Sequence, residues 1–345
     1  MLNIEFDKSL EALTTFGLPS TAEAYVEVDS LDALREAFVF AREKGLRVRL
    51  LGGGANIVSM PHVSGLVIHP AMRGISFAES PENDALLVTA GAGESLDGLV
   101  RETLKRAGGL ENLSAIPGSV GGAVVQNVGA YGLELAERFV SALVYDAQND
   151  EVRTFDLEAC DFSYRMSVFK RPENEGRFVV LEATLRLPKA WAPILGYKTL
   201  AERFADGSGR ELTPDSVAEA VRAIRAEKLP DPAEIGSAGS FFKNPIVPVV
   251  KARELLTQYG SLVTYPIGGD RVKLAAGWLI DACGFKGTSK GRRGGAAVYD
   301  KHALVLVNAG GATGEDVVAL ADDIVRAVQK RFDVALEPEP VFFGD

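Results

Sequence analysis

Residues 24–28, Ala-Tyr-Val-Glu-Val, alternate at a period of two, the spacing of a half-buried strand. Ser30 then stands as N-cap to a helix whose apolar positions Leu31, Leu34, Phe38 and Ala41 recur every three or four residues. Gly45 sits where a left-handed C-cap belongs. Residues 47–51 read as the next strand and run straight into Gly52-Gly53-Gly54. A second unit repeats the idea, with a strand over 86–90, then Ser95 capping a helix on Leu96, Leu99, Val100 and Leu104, closed by Gly108. From 139 to 187 the chain turns β-rich, with strands expected at 142–144 and 178–187. A polar stretch at 205–211, which looks like a slight local insertion, precedes Thr213-Pro214, an N-cap and N1 pair that opens a helix over 213–228. Two further amphipathic helices are predicted at 274–283 and 315–332, with a buried strand over 303–307 between them. No internal repeat interrupts this order. The pattern predicts a mixed α and β protein with short connections.

Length and charge narrow the class. At 345 residues the chain has room for two or three domains and a sizeable core. Hydrophobic residues make up 47% and charged residues 24%, which is ordinary globular usage and argues against disorder. A formal net charge of −10 repels a nucleic-acid backbone on average, so no nucleic-acid partner is expected. Cys160 and Cys283 form no C-x-x-C pair, which leaves two buried reduced thiols as the reading. His62, His69 and His302 fall in no ligand spacing, and no metal is expected. Residues 1–10 lack the basic and apolar regions of a signal peptide. No run approaches the ~18 apolar residues of a membrane span. A cytoplasmic protein without a membrane partner is therefore expected; a monomer is expected as well, although the residues themselves give no oligomeric state.

Glycine is the biased residue, at 36 of 345. Seven glycines fall between 108 and 132, and Gly52-Gly53-Gly54-Ala55-Asn56 follows a strand. Glycine takes positive φ without steric cost, and the N–H groups freed in such turns can nest an anion. Two such loops could hold a diphosphate with few lysines. The common nucleotide fingerprints are absent. Gly52-x-Gly54 meets Ile57 where G-x-G-x-x-G needs glycine, Gly91-x-Gly93 meets Leu96, and no G-x-x-x-x-G-K-[ST] occurs.

Four motifs carry a resemblance. They are Leu51-Gly52-Gly53-Gly54-Ala55-Asn56, then Ile116-Pro117-Gly118-Ser119-Val120-Gly121-Gly122-Ala123 with Gln126-Asn127-Val128-Gly129-Ala130-Tyr131-Gly132, then Gly239-Ser240-Phe241-Phe242-Lys243-Asn244-Pro245, and Leu336-Glu337-Pro338-Glu339. In this order, from the first loop to the last ten residues, they resemble the UDP-N-acetylenolpyruvoylglucosamine reductases. The resemblance implies a non-Rossmann FAD-binding fold of the vanillyl-alcohol-oxidase type, in two lobes with a C-terminal α+β substrate-binding domain. The lobes are expected at 1–70, joined by 332–345, and at 71–213, with the substrate-binding domain at 214–331. FAD is expected to be non-covalent, because neither His62 nor His69 stands in an R-x-x-G-H setting. NADPH is the implied co-substrate and a UDP-sugar the implied substrate.

The same resemblance assigns residues. Gly52, Gly53, Gly54, Ala55, Asn56, Ile116, Pro117, Gly118, Ser119, Gly121, Gly122, Ala123 and Gln126 would hold FAD. Ser240 resembles the family's proton donor. A hydroxyl is a poor acid unless charged neighbours polarise it, so Arg165 and Glu339 are its expected helpers, Arg165 as a clamp on a carboxylate. Tyr164, Lys228, Asn244 and Lys286 are expected at the substrate, and Tyr197 resembles the substrate-covering tyrosine of the family's longer subtype. Two departures stand out. Phe162-Ser163-Tyr164-Arg165-Met166-Ser167 replaces a glycine and an aspartate of the family pattern, and Ala55 replaces a serine. Alternative readings are another flavin oxidase of this superfold, which would need a base where Ser240 stands, and a flavin-free binding protein.

Overall fold

The computed structural model describes residues 2–205 and 209–344, so residues 206–208 of the expected polar insertion lie outside the described residues. The chain divides into two compact units. The first comprises Met1–Lys8, Ala22–Gly54 and Ser64–Glu227, and the second Ser9–Thr21, Ala55–Val63 and Lys228–Asp345.

In the first unit the period-two pattern becomes the strand Thr21–Val28, with Ala24, Val26 and Val28 buried. It belongs to a four-stranded sheet ordered Glu5–Ser9, Thr21–Val28, His62–Pro70, Val48–Leu50, whose last pair is parallel. Helix α1 (Leu31–Lys44) starts where Ser30 Oγ accepts the Ala33 N–H and stops at Gly45, φ 67°. Both caps match the sequence expectation. A second, antiparallel sheet runs Glu151–Phe155, Phe139–Asp146, Phe178–Pro188, Ala85–Gly91, Ile75–Glu79. Both faces of the strand Phe178–Pro188 are buried over its first four residues, 178–181. Val180, Ala183 and Leu185 share a core with helices α2 (Leu96–Leu104) and α3 (Val120–Gln126), while Val179 and Leu181 pack with α1.

Helix α2 is capped by Ser95, as expected, but ends at Leu104 with Lys105 as its C-cap. Gly108 therefore does not close it. A Cβ there would lie 2.5 Å from the Trp191 ring and 2.7 Å from Pro214, so Gly108 is glycine because a tryptophan rests on its backbone. The short helices α4 (Leu157–Cys160) and α5 (Lys198–Glu202) precede α6 (Pro214–Lys228). Thr213 Oγ1 accepts the Ser216 N–H at 3.1 Å and Ser216 Oγ accepts the Thr213 N–H at 2.9 Å, which fixes the predicted start of α6. The sequence reading opens its third segment at 214. In the structure α6 falls, through Glu227, in the first unit, because Val217, Ala220, Val221 and Ile224 share a core with Leu200.

The second unit contains the sheet Ser237–Ser240, Val305–Asn308, Ala296–Val298, Arg292–Arg293 and a smaller one ordered Ile246–Pro248, Arg271–Leu274, Thr264–Pro266. Helix α7 (Val249–Gln258) has no counterpart in the sequence reading. Helix α8 (Ala276–Ala282) is shorter than predicted because Leu274 is spent in a strand. Helix α9 (Gly314–Phe332) begins with a reciprocal cap between Thr313 and Asp316 and buries Val317, Leu320, Ile324 and Val328. The tail strand Val341–Phe343 runs parallel to Ile57–Ser59, and both strands lie in the second unit. Cys160 and Cys283 are buried free thiols. Among the described residues no helix is long and apolar enough to cross a membrane, and no cluster of three His, Cys, Asp or Glu could hold a metal.

Candidate active site

The first unit carries Gly52–Gly54 and the second glycine loop, both expected from the sequence to hold the cofactor, while Ala55 and Asn56 fall in the second unit. Ser119 caps α3, its Oγ accepting from Gly122 N–H at 3.2 Å and from Gly53 N–H at 3.1 Å. One hydroxyl thereby joins the two glycine loops. They touch so closely that a Cβ on Gly53 would sit 2.5 Å from Ser119 N and 2.6 Å from Gly118 Cα. A Cβ on Gly121 would lie 2.9 Å from the Ala92 methyl. The sequence argument gave these glycines to ligand approach; at Gly53 and Gly121 the reason is contact between parts of the protein itself.

The N–H groups of α3's first turn are also spent. Val120 donates to Glu94, Gly121 to Ala92 and Ala123 to Ser119. The N–H groups of Gly118 and Ser119 donate to none of the described residues. Asn112 Oδ1 and Ser114 Oγ, on the approach to this loop, are buried without a partner. A cofactor bearing phosphates and a hydrogen-bonding ring fits these unspent groups, since buried polar atoms are normally satisfied. Gln126 ends α3, and its Oε1 accepts from Lys170 Nζ at 2.6 Å.

Lys170 also donates to the Arg165 carbonyl at 3.1 Å. Tyr164 and Arg165 form the tip of a tight turn closed by two main-chain hydrogen bonds of 3.0 Å between Ser163 and Met166. Ser163 and Met166, which stand where the family pattern has its glycine and aspartate, are that pair, and their contact is backbone to backbone. Arg165 has φ 57°, a conformation that costs a non-glycine residue roughly 1–3 kcal/mol. Its guanidinium donates to the carbonyls of Asn127 and Gly129 and lies 5.2 Å from the centre of the Tyr164 ring. Both of these acceptors are main-chain carbonyls. Tyr197 is exposed, with its ring 5.1 Å from that of Tyr131, edge to face. Burial raises the Tyr131 phenol above its usual range.

A cluster that sequence reasoning missed lies behind the second loop. Asp97 Oδ1 accepts from Ala115 N–H and from Arg222, both at 2.6 Å, while Oδ2 accepts from Arg222 at 2.9 Å and Arg101 at 3.0 Å. Burial alone would raise the Asp97 pKa, but these donors hold the carboxyl below the usual range. Ala115 has φ 59° and its carbonyl accepts from Arg225 Nε at 3.2 Å. Arg222 and Arg225, three apart on α6, offered the only sequence signal.

The second unit carries Ser240. Gly239, φ 68°, sits in an irregularity of the pairing between Ser237 and Ser240, which leaves Ser240 exposed at the strand end. Phe241 and Phe242 are fully buried and anchor the turn, each worth roughly 1.5–3 kcal/mol of burial. The Phe241 N–H donates to Leu304 at 2.7 Å, and its carbonyl accepts from Glu339 N–H at 2.8 Å. The structure therefore brings the serine and glutamate segments together by main-chain pairing. Asn56 Nδ2 donates to the Glu339 carbonyl at 3.2 Å, and Val341 N–H donates to the Asn56 carbonyl at 2.9 Å. The loop residues Ala55 and Asn56 thus belong with Glu339.

Asn244 Oδ1 accepts the Ala276 N–H at 2.9 Å and starts α8. Lys286 is paired with Asp281 at 2.7 Å. Burial, then the charges of Lys228 and Lys286, keep His302 below the ordinary imidazole value, which places both lysines around one buried histidine. His302, set aside by the sequence reading for lack of a ligand spacing, is part of this basic corner.

Comparison with known proteins decides what these parts make. Residues 231–343 match the family model described as the C-terminal domain of UDP-N-acetylenolpyruvoylglucosamine reductase. Residues 22–155 match an FAD binding domain. The UDP-N-acetylenolpyruvoylglucosamine reductase of Cupriavidus pinatubonensis is 47% identical over 330 residues, covering 95% of each chain. The chain belongs to the UDP-N-acetylenolpyruvoylglucosamine reductase family. The relative from Paraburkholderia xenovorans is 45% identical over 335 residues, 96% of this chain and 95% of that one. The solved reductase of Thermus caldophilus superposes with a TM-score of 0.65 at 24% identity, covering 99% of each chain, and shares the fold. The fold class expected from the motifs is thus borne out, an α+β flavoprotein of the non-Rossmann type.

Proposed function

We propose that the protein is an FAD-dependent oxidoreductase that uses NADPH to reduce the enolpyruvyl ether of UDP-N-acetylglucosamine enolpyruvate to UDP-N-acetylmuramate, a peptidoglycan precursor. Identity of 45–47% along nearly the whole chain to reductases of that name supports the activity. The loops Gly52, Gly53, Gly54, Ala55, Asn56 and Ile116, Pro117, Gly118, Ser119, Gly121, Gly122, Ala123, with Gln126, hold FAD. The chemistry FAD supplies when bound is to take two electrons from NADPH and return them as a hydride to the vinyl carbon.

The chain's own residues manage charge and protons. Arg165 holds the substrate carboxylate, and the negative charge that grows beside it on hydride addition strengthens that bond. The Ser240 hydroxyl gives its proton to the neighbouring carbon, which completes the saturated ether. Glu339, whose N–H is bonded to the Phe241 carbonyl at 2.8 Å, is the group on the adjacent segment suited to support that transfer. This pairing is the observation that carries the assignment of Ser240. Lys228 and Lys286 provide local positive charge for the nucleotide diphosphate in a protein of net charge −10. Asn244, Tyr164 and Tyr197 complete the substrate contacts. The enzyme works in the cytoplasm as a monomer.

Anaerobic stopped-flow absorbance with each substrate in turn tests the reading. NADPH should bleach the flavin, and the enolpyruvyl nucleotide should restore it. Oxygen consumption with simple alcohols, without nucleotide-dependent NADPH oxidation, would overturn it in favour of an oxidase.

A further inference from the structure

We propose that Asp97, with Arg222 and Arg225, forms a clamp that holds Ala115 in its left-handed conformation and so positions the FAD loop that begins at Ile116. The inference rests on the reading of residues 116–119 as a cofactor loop. Ala115 is gripped at both ends of its main chain. Its N–H donates to Asp97 Oδ1 at 2.6 Å, and its carbonyl accepts from Arg225 Nε at 3.2 Å. At φ 59° an alanine gains nothing over extended backbone unless its surroundings impose the conformation. Released, the residue would relax and rotate the peptide plane that leads into Ile116, Pro117 and Gly118.

Each part of the clamp has a rigid mount. Asp97 stands in the first turn of α2, whose Ser95 cap fixes it and whose dipole favours a carboxylate there. Arg222 meets Asp97 with two hydrogen bonds, 2.9 and 2.6 Å, the bidentate geometry that confers direction as well as attraction. Both side chains are only 22% exposed, which limits screening. Arg222 and Arg225 share a face of α6, whose other end is set by the Thr213–Ser216 cap. The helix that the sequence reading gave to the substrate domain therefore reaches the cofactor loop of the first unit. These residues touch the loop's approach and not the reacting atoms, so they are positioning residues.

The test is the dissociation constant for FAD, read by quenching of flavin fluorescence on titrating apoprotein. Asp97→Ala should weaken FAD about tenfold, equivalent to 1.4 kcal/mol, a typical loss for a charged partner to main chain. Glycine adopts positive φ freely, so Ala115→Gly in the Asp97→Ala background should recover most of that affinity. A merely structural role for Asp97 would not be rescued by a glycine at 115. Unchanged affinity in Asp97→Ala, or a loss that Ala115→Gly leaves intact, overturns the clamp. If Asp97→Ala does not fold, Arg222→Gln carries the same comparison. Wild-type apoprotein that binds no FAD would instead overturn the cofactor-loop reading beneath it.

Discussion

Gly53 in the first unit and Gly239 in the second both look like loop glycines beside a working residue, yet they are glycine for different reasons. A Cβ at Gly53 would strike the backbone of Gly118 and Ser119, whereas a Cβ at Gly239 would meet nothing within 4 Å. Gly239 is required by conformation, φ 68°, and its effect is to turn Ser240 outward. The two glycine loops are thus a construction of backbone packed on backbone, joined through the single hydroxyl of Ser119. The strand that ends at Ser240 is a conventional strand end that presents side chains. The first kind of site is sensitive to any added atom, and the second to the identity of a few groups.

The sharpest division between the two regions lies in Ser240→Ala. That variant leaves the loops of the first unit untouched, so anaerobic reduction of the flavin by NADPH should proceed near the wild-type rate. Reoxidation by the enolpyruvyl nucleotide should slow about 10²–10⁴-fold, the usual contribution of a positioned acid. Equal slowing of both half-reactions would show that Ser240 serves binding or folding in place of proton transfer.

The glycine pair comes next. Gly53→Ala forces main chain against main chain, and overpacking of that kind costs about 1–3 kcal/mol or more. Its FAD affinity should fall by about one to two orders of magnitude. Gly239→Ala meets no clash and bears only the left-handed penalty, roughly 1–2 kcal/mol, felt by the second unit. Its FAD affinity should stay near wild type while its melting temperature drops. Matched losses of FAD affinity in both variants would erase the distinction drawn from their surroundings.

Much of this was legible before any coordinates. Ser30, Ser95 and Thr213 announced helix starts because a cap is a local bargain between one side chain and one N–H. The strand Thr21–Val28 was legible because one of its faces alternates with solvent. Motif register located Ser240 and Glu339, and main-chain pairing then brought their segments together. Gly108 was misread as a cap because only the fold brings Trp191, more than eighty residues on, against it. Asp97 and Ala115 carried no sequence signal, since a left-handed alanine is written no differently from a helical one. Helix α7 was missed although Ala252 and Leu255 mark its buried face, and the break at 213 ignored how well α6 completes the first unit's core.

The smallest expected effect is in pH, and it concerns the side-chain-built region. His302 Nδ1 accepts the Leu304 N–H at 3.2 Å, so the neutral ring carries its proton on Nε2. Protonating Nδ1 breaks that bond, and burial together with Lys228 and Lys286 opposes the new charge. The folded pKa therefore lies below the ordinary value of 6.5, and between the two values the unfolded chain binds the proton that the folded one refuses. Stability from this source is fully present above pH 6.5 and declines as pH falls through the folded value. His69, likewise lowered by burial in the first unit, adds a slope of the same sign, so the measurement must be a difference. Urea unfolding at pH 7.5 and 5.5 should show wild-type protein losing more stability than His302→Gln, by at most about 1.4 kcal/mol, the worth of the one pH unit between 6.5 and 5.5. A variant with the same pH slope as wild type would mean that His302 is charged in the folded protein, and the basic corner would then consist of three cations where the structure implies two.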